Sequence, residues 1–166
     1  MMRSGAVDVD YPAAGGGRAA LVVGALPGFA VAEEHVAWLD EVEPYVPGQF
    51  YLRELPAIRA ALAGVAPVEL LIVDGYVDLD PGGRPGLGAH VHEALGVPVI
   101  GVAKTAFRAA THAVPVLRGV ATKPLFVTAA GLSRAEAAEY VRGMGGAYRM
   151  PEALRRVDAL ARGREH

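Results

Sequence analysis

Three carboxylates lie where an α/β protein commonly uses such groups for chemistry. Asp8 stands among alternating valines, and Asp74 ends the most apolar segment of the chain and is followed by glycine. Glu54 stands at the entrance to a predicted helix. Carboxylates that converge repel one another, and a bound divalent cation removes that cost. Oxygen-rich sites of this kind suit Mg²⁺ or Mn²⁺, which activate water and stabilise the leaving oxygen when a phosphodiester is cut.

The residue types alone leave alternatives open at each position. Asp10 lies two residues after Asp8, on the same face of the strand, and is an equally good ligand by spacing. An aspartate before glycine at the end of a strand often bonds its own backbone in a turn, which is a second interpretation of Asp74. An acid at the start of a helix also interacts favourably with the helix dipole, and this applies to Glu54.

Hydrophobic periodicity predicts the elements that position these acids. Alternating residues predict three antiparallel strands at 6–11, 18–25 and 29–38, with a hairpin at Pro27-Gly28. Apolar runs predict further strands at 70–74, 97–102, 114–120 and 124–128. The helical period predicts helices at 55–65, 86–95, 133–144 and 151–161.

Local signals refine this assignment and its consequence for the acids. Ser133 with Glu136 three residues later forms a capping box. In the last helix, apolar Leu154, Val157 and Leu160 are predicted to face inward. Antiparallel strands followed by alternating strands and helices predict an α/β fold with a mixed sheet. If the first and fourth strands are neighbours, their acids converge where such sheets bind ligands.

Composition limits the classes of protein that fit. The chain has 166 residues, of which 52% are hydrophobic and 20% charged, so a disordered chain is excluded. There is no cysteine, which excludes disulfides and thiol chemistry, and the net charge of −2 argues against a strongly electrostatic nucleic-acid binder. One domain over 1–166 is expected. The N-terminus shows no secretory pattern and no apolar run approaches ~18 residues, so a cytoplasmic location is expected.

Seven short motifs occur in order across most of the chain and resemble those of the endonuclease V family. They are Asp8-Val9-Asp10-Tyr11, Pro44-Tyr45-Val46-Pro47-Gly48, Arg53-Glu54-Leu55-Pro56, Val73-Asp74-Gly75, Ile100-Gly101-Val102-Ala103-Lys104, Lys123-Pro124-Leu125-Phe126-Val127 and Tyr148-Arg149-Met150-Pro151-Glu152. The resemblance implies an RNase H-like fold with a mixed central sheet flanked by helices. It further implies a Mg²⁺-dependent endonuclease that cuts 3′ of a deaminated purine, chiefly hypoxanthine, in single-stranded DNA or RNA.

The resemblance also implies roles for individual charged residues. The family's metal-binding aspartate is the first acid of its motif, which selects Asp8 rather than Asp10. Asp74 would be the second metal ligand, and Glu54 a third acid that acts on the metal or its water. Lys104 would orient the attacking water or hold a phosphate.

Contacts to the nucleic acid are implied in the same way. Tyr45, with Pro47 and Gly48, would belong to a wedge that separates the altered base from its stack, because chemistry at a stacked base requires its extrusion. Gly75 and Tyr76 would lie near the pocket that receives the extruded base.

Departures from the family pattern predict a weaker enzyme. The family's catalytic histidine has no counterpart in the segment around Gly131, and another family histidine is replaced by Tyr76. Asp80 stands where the family has a further histidine. A solvated loop carboxylate is predicted there, and the alternative is that Asp80 supplies a carboxylate in place of that histidine. The alternative is a catalytically inactive homologue of the same fold that binds nucleic acid or a protein partner.

Overall fold

The computed structural model describes residues 1–164, and the two last residues of the expected domain lie outside this range. Seven strands form one sheet: β1 (Met2–Asp10), β2 (Gly17–Leu26), β3 (Ala30–Leu39), β4 (Leu70–Asp74), β5 (Val99–Ala103), β6 (Val114–Val116) and β7 (Leu125–Ala130). The helices are α1 (Tyr51–Leu62), α2 (Leu87–Leu95), α3 (Arg134–Gly143) and α4 (Glu152–Ala161).

The sheet has mixed direction, as predicted. Its strand order is β3-β2-β1-β4-β5-β7-β6. The first three strands form an antiparallel meander, and β4 and β5 run parallel to β1. Strand β7 runs antiparallel to β5, and β6 pairs antiparallel with β7 at the edge of the sheet. The first and fourth strands are therefore neighbours, which is the arrangement that lets their terminal acids converge.

Helices cover both faces of the sheet. Side chains alternate along a strand, so Ala6 of β1 packs with α3 and α4 while the next residue, Val7, packs with α1 and α2. The central strand β4 is buried on both faces, which explains its continuous apolar sequence. No helix within residues 1–164 is both long and apolar enough to cross a membrane.

Element boundaries differ from the predictions where tertiary contacts extend or shorten a local pattern. Helix α1 begins four residues early, because the Phe50 carbonyl already accepts a hydrogen bond from the Glu54 amide at 3.2 Å. Pro56 thus lies inside the helix rather than in its first turn. Strand β6 ends at Val116, well short of the predicted residue 120. The Ser133 cap is confirmed, since its hydroxyl accepts from the Glu136 amide at 3.0 Å.

Candidate active site

The parallel pairing of β1 with β4 brings two predicted ligands together. The register runs from Ser4 opposite Leu70 to Ala6 opposite Ile72, so continuing it by two residues places Asp8 level with Asp74. Adjacent strands lie ~4.8 Å apart. Both acids share the sheet face that packs against α4, and both line a cavity of about 460 Å³.

Helix α4 adds a third carboxylate that the sequence analysis missed. Asp158 lines the same cavity and lies close enough to Asp8 to raise the pKa of that carboxyl group. It also forms an ion pair with Arg162 at 3.0 Å, one turn further along the helix. The available signal was an aspartate directly after the inward-facing Val157, on the apolar side of an amphipathic helix.

Burial and mutual repulsion make these acids hard to ionise. Burial raises the pKa of Asp8 to about 7, and the charges of Asp74 and Asp158 add to the increase. The Val9 amide opposes it by donating to the Asp8 carboxylate at 3.0 Å. Burial also raises the pKa of Asp74, partly offset by the ammonium of Lys104. Near neutral pH the site therefore favours a bound proton or a cation.

Glu54 reaches the same acids from the other face of the sheet. It lies in the first turn of α1, is only 7% exposed, and shares a smaller cavity of about 230 Å³ with Asp8 and Asp74. Burial raises the pKa of Glu54 to about 7, opposed by a hydrogen bond from Tyr11 and by the charge of Arg53. The structure thus unites all three acids singled out from the sequence.

Lys104 follows β5 directly and lines the larger cavity. The Arg149 guanidinium donates to the Lys104 carbonyl, and also to the carbonyls of Lys123 at 3.1 Å and Pro124 at 2.8 Å. This side chain therefore joins the end of β5 to the start of β7. One of the three bonds is made to the backbone of the predicted catalytic lysine itself.

The predicted wedge lies beside the acids but not among them. Tyr45, Pro47 and Gly48 occupy the segment between β3 and α1, are exposed, and line neither cavity. Gly48 has φ +80°, a conformation that favours glycine. The Tyr45 ring lies edge-on to Phe50, with ring centroids 6.2 Å apart, and Phe50 borders the smaller cavity. The segment thus adjoins the site through Phe50.

Gly75 and Tyr76 form a turn after β4 that hydrogen bonds tie to the end of β5 and the segment after it. The Gly75 amide donates to the Val102 carbonyl at 2.9 Å with φ +119°. The Tyr76 hydroxyl donates to the Thr105 carbonyl at 2.7 Å and accepts from the Phe107 amide at 3.0 Å. Neither residue lines the larger cavity. Tyr76 therefore holds the chain that follows Lys104 rather than contacting the acids.

The segment around Gly131 lies at the wrong end of the sheet to join the site, which corrects one expectation. Strand β7 is antiparallel to β5, so its last residue, Ala130, pairs with Val99 at the beginning of β5. A Cβ at Gly131 would contact Pro98 and His92 at 3.1 Å. A histidine there could not act on the acids. The absence of a histidine at this position therefore gives no structural reason for weaker cleavage.

Asp80 is a loop carboxylate, as predicted. Its Oδ1 accepts a hydrogen bond from the Arg84 amide at 3.1 Å and so closes its own turn. It lines neither cavity. This carboxylate does not replace a missing site histidine.

Strand order and flanking helices define an RNase H-like α/β protein whose acids meet at the carboxyl ends of the central strands. The sequence profile of endonuclease V matches residues 2–159. The chain belongs to the endonuclease V family.

Individual relatives agree with this assignment. Endonuclease V of Streptomyces coelicolor is 36% identical over 72% of this chain, and the match spans only 60% of that relative's length. The enzyme of a Nostoc species is 31% identical over 95% of this chain and 81% of its own.

Solved structures show the same fold. Endonuclease V of Streptomyces avermitilis superposes with a TM-score of 0.79 at 34% identity, covering 97% of this chain and 80% of its own. Endonuclease V of Ciona intestinalis, bound to DNA containing an inosine, reaches 0.84 at 20% identity, covering 98% and 84%.

Proposed function

We propose that this chain is a metal-dependent endonuclease that cuts a phosphodiester 3′ of a deaminated purine, chiefly inosine, in DNA or RNA. The observation that carries the proposal is the meeting of Asp8, Asp74, Asp158 and Glu54 beside Lys104 at one end of the sheet. Membership of the endonuclease V family supports the reaction class. The inosine-containing DNA bound by the Ciona protein, which shares this fold, supports the substrate class.

The donor set fits Mg²⁺ or Mn²⁺. Both ions prefer oxygen ligands, and Asp8 and Asp74 offer carboxylates whose mutual repulsion a cation would remove. Among residues 1–164 no three acidic or imidazole groups already surround one cation position. Mg²⁺ commonly binds through one or two carboxylates and fills its shell with water and substrate phosphate. Asp8 and Asp74 would hold the ion, with Asp158 beside them.

The remaining residues have separate tasks in this proposal. A divalent ion would supply the positive charge that acidifies an attacking water and stabilises the leaving oxygen. Glu54 is suited to accept a proton from that water, because burial brings its pKa to about 7. Lys104 would hold a phosphate oxygen through a charged hydrogen bond. Arg155 and Arg164 also line the larger cavity and extend this cationic side.

The segment with Tyr45, Pro47 and Gly48 would contact the strand next to the cut. Tyr45 is 59% exposed and its ring is free to stack on a base. Gly75 and Tyr76 would limit the base pocket through the backbone around them. These assignments rest on the family resemblance and on Phe50, which contacts Tyr45 and borders the smaller cavity.

A cleavage assay tests the proposed function. Single-stranded DNA and RNA oligonucleotides with one inosine, and matched ones with adenosine, are incubated with the protein in Mg²⁺ or Mn²⁺. Asp74→Ala protein reveals any contaminating nuclease. The expected result is a cut 3′ of inosine that disappears in the variant. Binding without cutting by folded protein would instead indicate the inactive homologue.

A further inference from the structure

We propose that Tyr11 is a positioning residue that holds the carboxylate of Glu54 in place beside Asp8 and Asp74. The proposal rests on the proposed function, because it gives Glu54 a task in cleavage. The Tyr11 hydroxyl lies 3.1 Å from Glu54 Oε2 and 3.1 Å from the carbonyl oxygen of Arg53, and its single hydrogen is shared between these two acceptors. Tyr11 follows directly after β1, the strand that carries Asp8.

Two neighbours hold the Tyr11 ring in position. The Arg53 guanidinium carbon lies 3.7 Å from the ring centroid, a close cation–π contact. A Cβ at Gly17 would come within 3.2 Å of ring carbon Cε1, which is tighter than ordinary packing. Gly17 does not have a positive φ, so it is the limited space beside the ring and not the backbone conformation that favours glycine here.

Glu54 needs such a partner because its surroundings push its carboxylate away. It is buried, and the negative charge of Asp74 repels it. Among residues 1–164, the Tyr11 hydroxyl is the one hydrogen-bond donor to its carboxylate. Glu54 lies on α1 and Tyr11 directly follows β1, so the bond from Tyr11 links the helix to the strand that carries Asp8. Losing it would free the side chain to turn away.

Tyr11→Phe tests the proposal, because it removes the hydroxyl and keeps the ring. A hydrogen bond to a charged group corresponds to about 10- to 100-fold in rate, so kcat should fall by that factor while KM stays constant. Glu54→Gln should lose more. Adding Tyr11→Phe to Glu54→Gln should cost nothing further, since Tyr11 acts through Glu54. Tyr140→Phe, on distant α3, is the matched control and should cut normally.

A measurement without metal separates this proposal from the proposed function. In protein labelled with ¹³C at glutamate carboxyl groups, the Glu54 signal is assigned by its loss in Glu54→Gln. At one alkaline pH it should move in Tyr11→Phe and stay in Tyr140→Phe. A signal that does not move, or an additive loss in the double variant, overturns the role of Tyr11. If the signal shifts but the protein cuts no inosine-containing strand, the Tyr11–Glu54 contact is supported and the proposed nuclease function is overturned.

Discussion

Acidic side chains at the two ends of the sheet have pKa values shifted in opposite directions. At the carboxyl ends of β1 and β4, half-buried Asp8 and buried Glu54 have pKa values raised to about 7. At the other end, Glu33 accepts hydrogen bonds from Arg3 and from His35, and these partners lower its pKa to about 2. The acid at the far end is thus paired with basic side chains, whereas the acids at the site end lie close to one another.

This difference shows where the molecule gives up stability for chemistry. Glu33 at the far end has the base Arg3 beside it, as expected where folding alone is served. The site end gathers acids that repel one another, and strongly perturbed groups of this kind in a cleft indicate a functional site. Four experiments test this difference between the two ends of the sheet.

The largest effect is expected from Asp74→Asn. Replacing this acid should reduce cleavage of an inosine strand by more than about 100-fold, because it removes a proposed metal ligand. Thermal unfolding without metal should not become easier, since the amide ends the repulsion with Asp8. Glu33→Gln is the control from the far end, expected to cut normally and unfold at a slightly lower temperature. Equal loss of cleavage in both variants would contradict the proposal that only the acids at the site end serve catalysis.

Asp158→Asn should reduce cleavage by about 10- to 100-fold, the range typical for groups that orient metal ligands. The amide keeps the size of the side chain but loses the negative charge that faces Asp8 and that Arg162 pairs with. Single-turnover rates measure the change, with Asp80→Asn as the control because that acid only closes its own loop. Full activity in Asp158→Asn would show that α4 contributes no functional group to the site.

Metal-free stability should fall as the pH rises from about 5 to 8. Asp8 and Glu54 have folded pKa values near 7, above their usual 3.8 and 4.5, so the folded state binds more protons in this window. Glu33 has the opposite sign, and its contribution is lost as the pH falls through about 2. Calorimetry of EDTA-treated protein measures both. Added Mg²⁺ should raise Tm at pH 8 more than at pH 5, and a flat profile would contradict the raised pKa values.

The smallest effect on cleavage is expected from Gly131→His. The position lies at the end of the sheet away from Asp74, so restoring the family's histidine should leave the rate within about 2-fold. Some loss of Tm is expected, because Gly131 has φ +82°. Oligonucleotide cleavage and thermal unfolding together test both statements. A faster enzyme would show that this segment reaches the acids after all.

Much of the architecture was accessible to local reasoning. The three-strand meander, the apolar β4 and the Ser133 cap each follow from periodicity or capping chemistry over a few residues. Element boundaries were harder to predict, because the start of α1 and the end of β6 depend on hydrogen-bond partners that tertiary contacts provide. The adjacency of Asp8 and Asp74 was predicted only on the condition that β1 and β4 pair, which they do.

The sequence by itself determined the fold class, the family and three of the acids, since motifs and hydrophobic patterns are local properties of the chain. Tertiary structure decided which distant groups meet. The packing of α4 across β1 brings Asp158 to Asp8, and the turn after β1 brings Tyr11 to Glu54. The antiparallel direction of β7 carries Gly131 away from them. These relations depend on strand direction and helix packing, which no spacing along the chain reports.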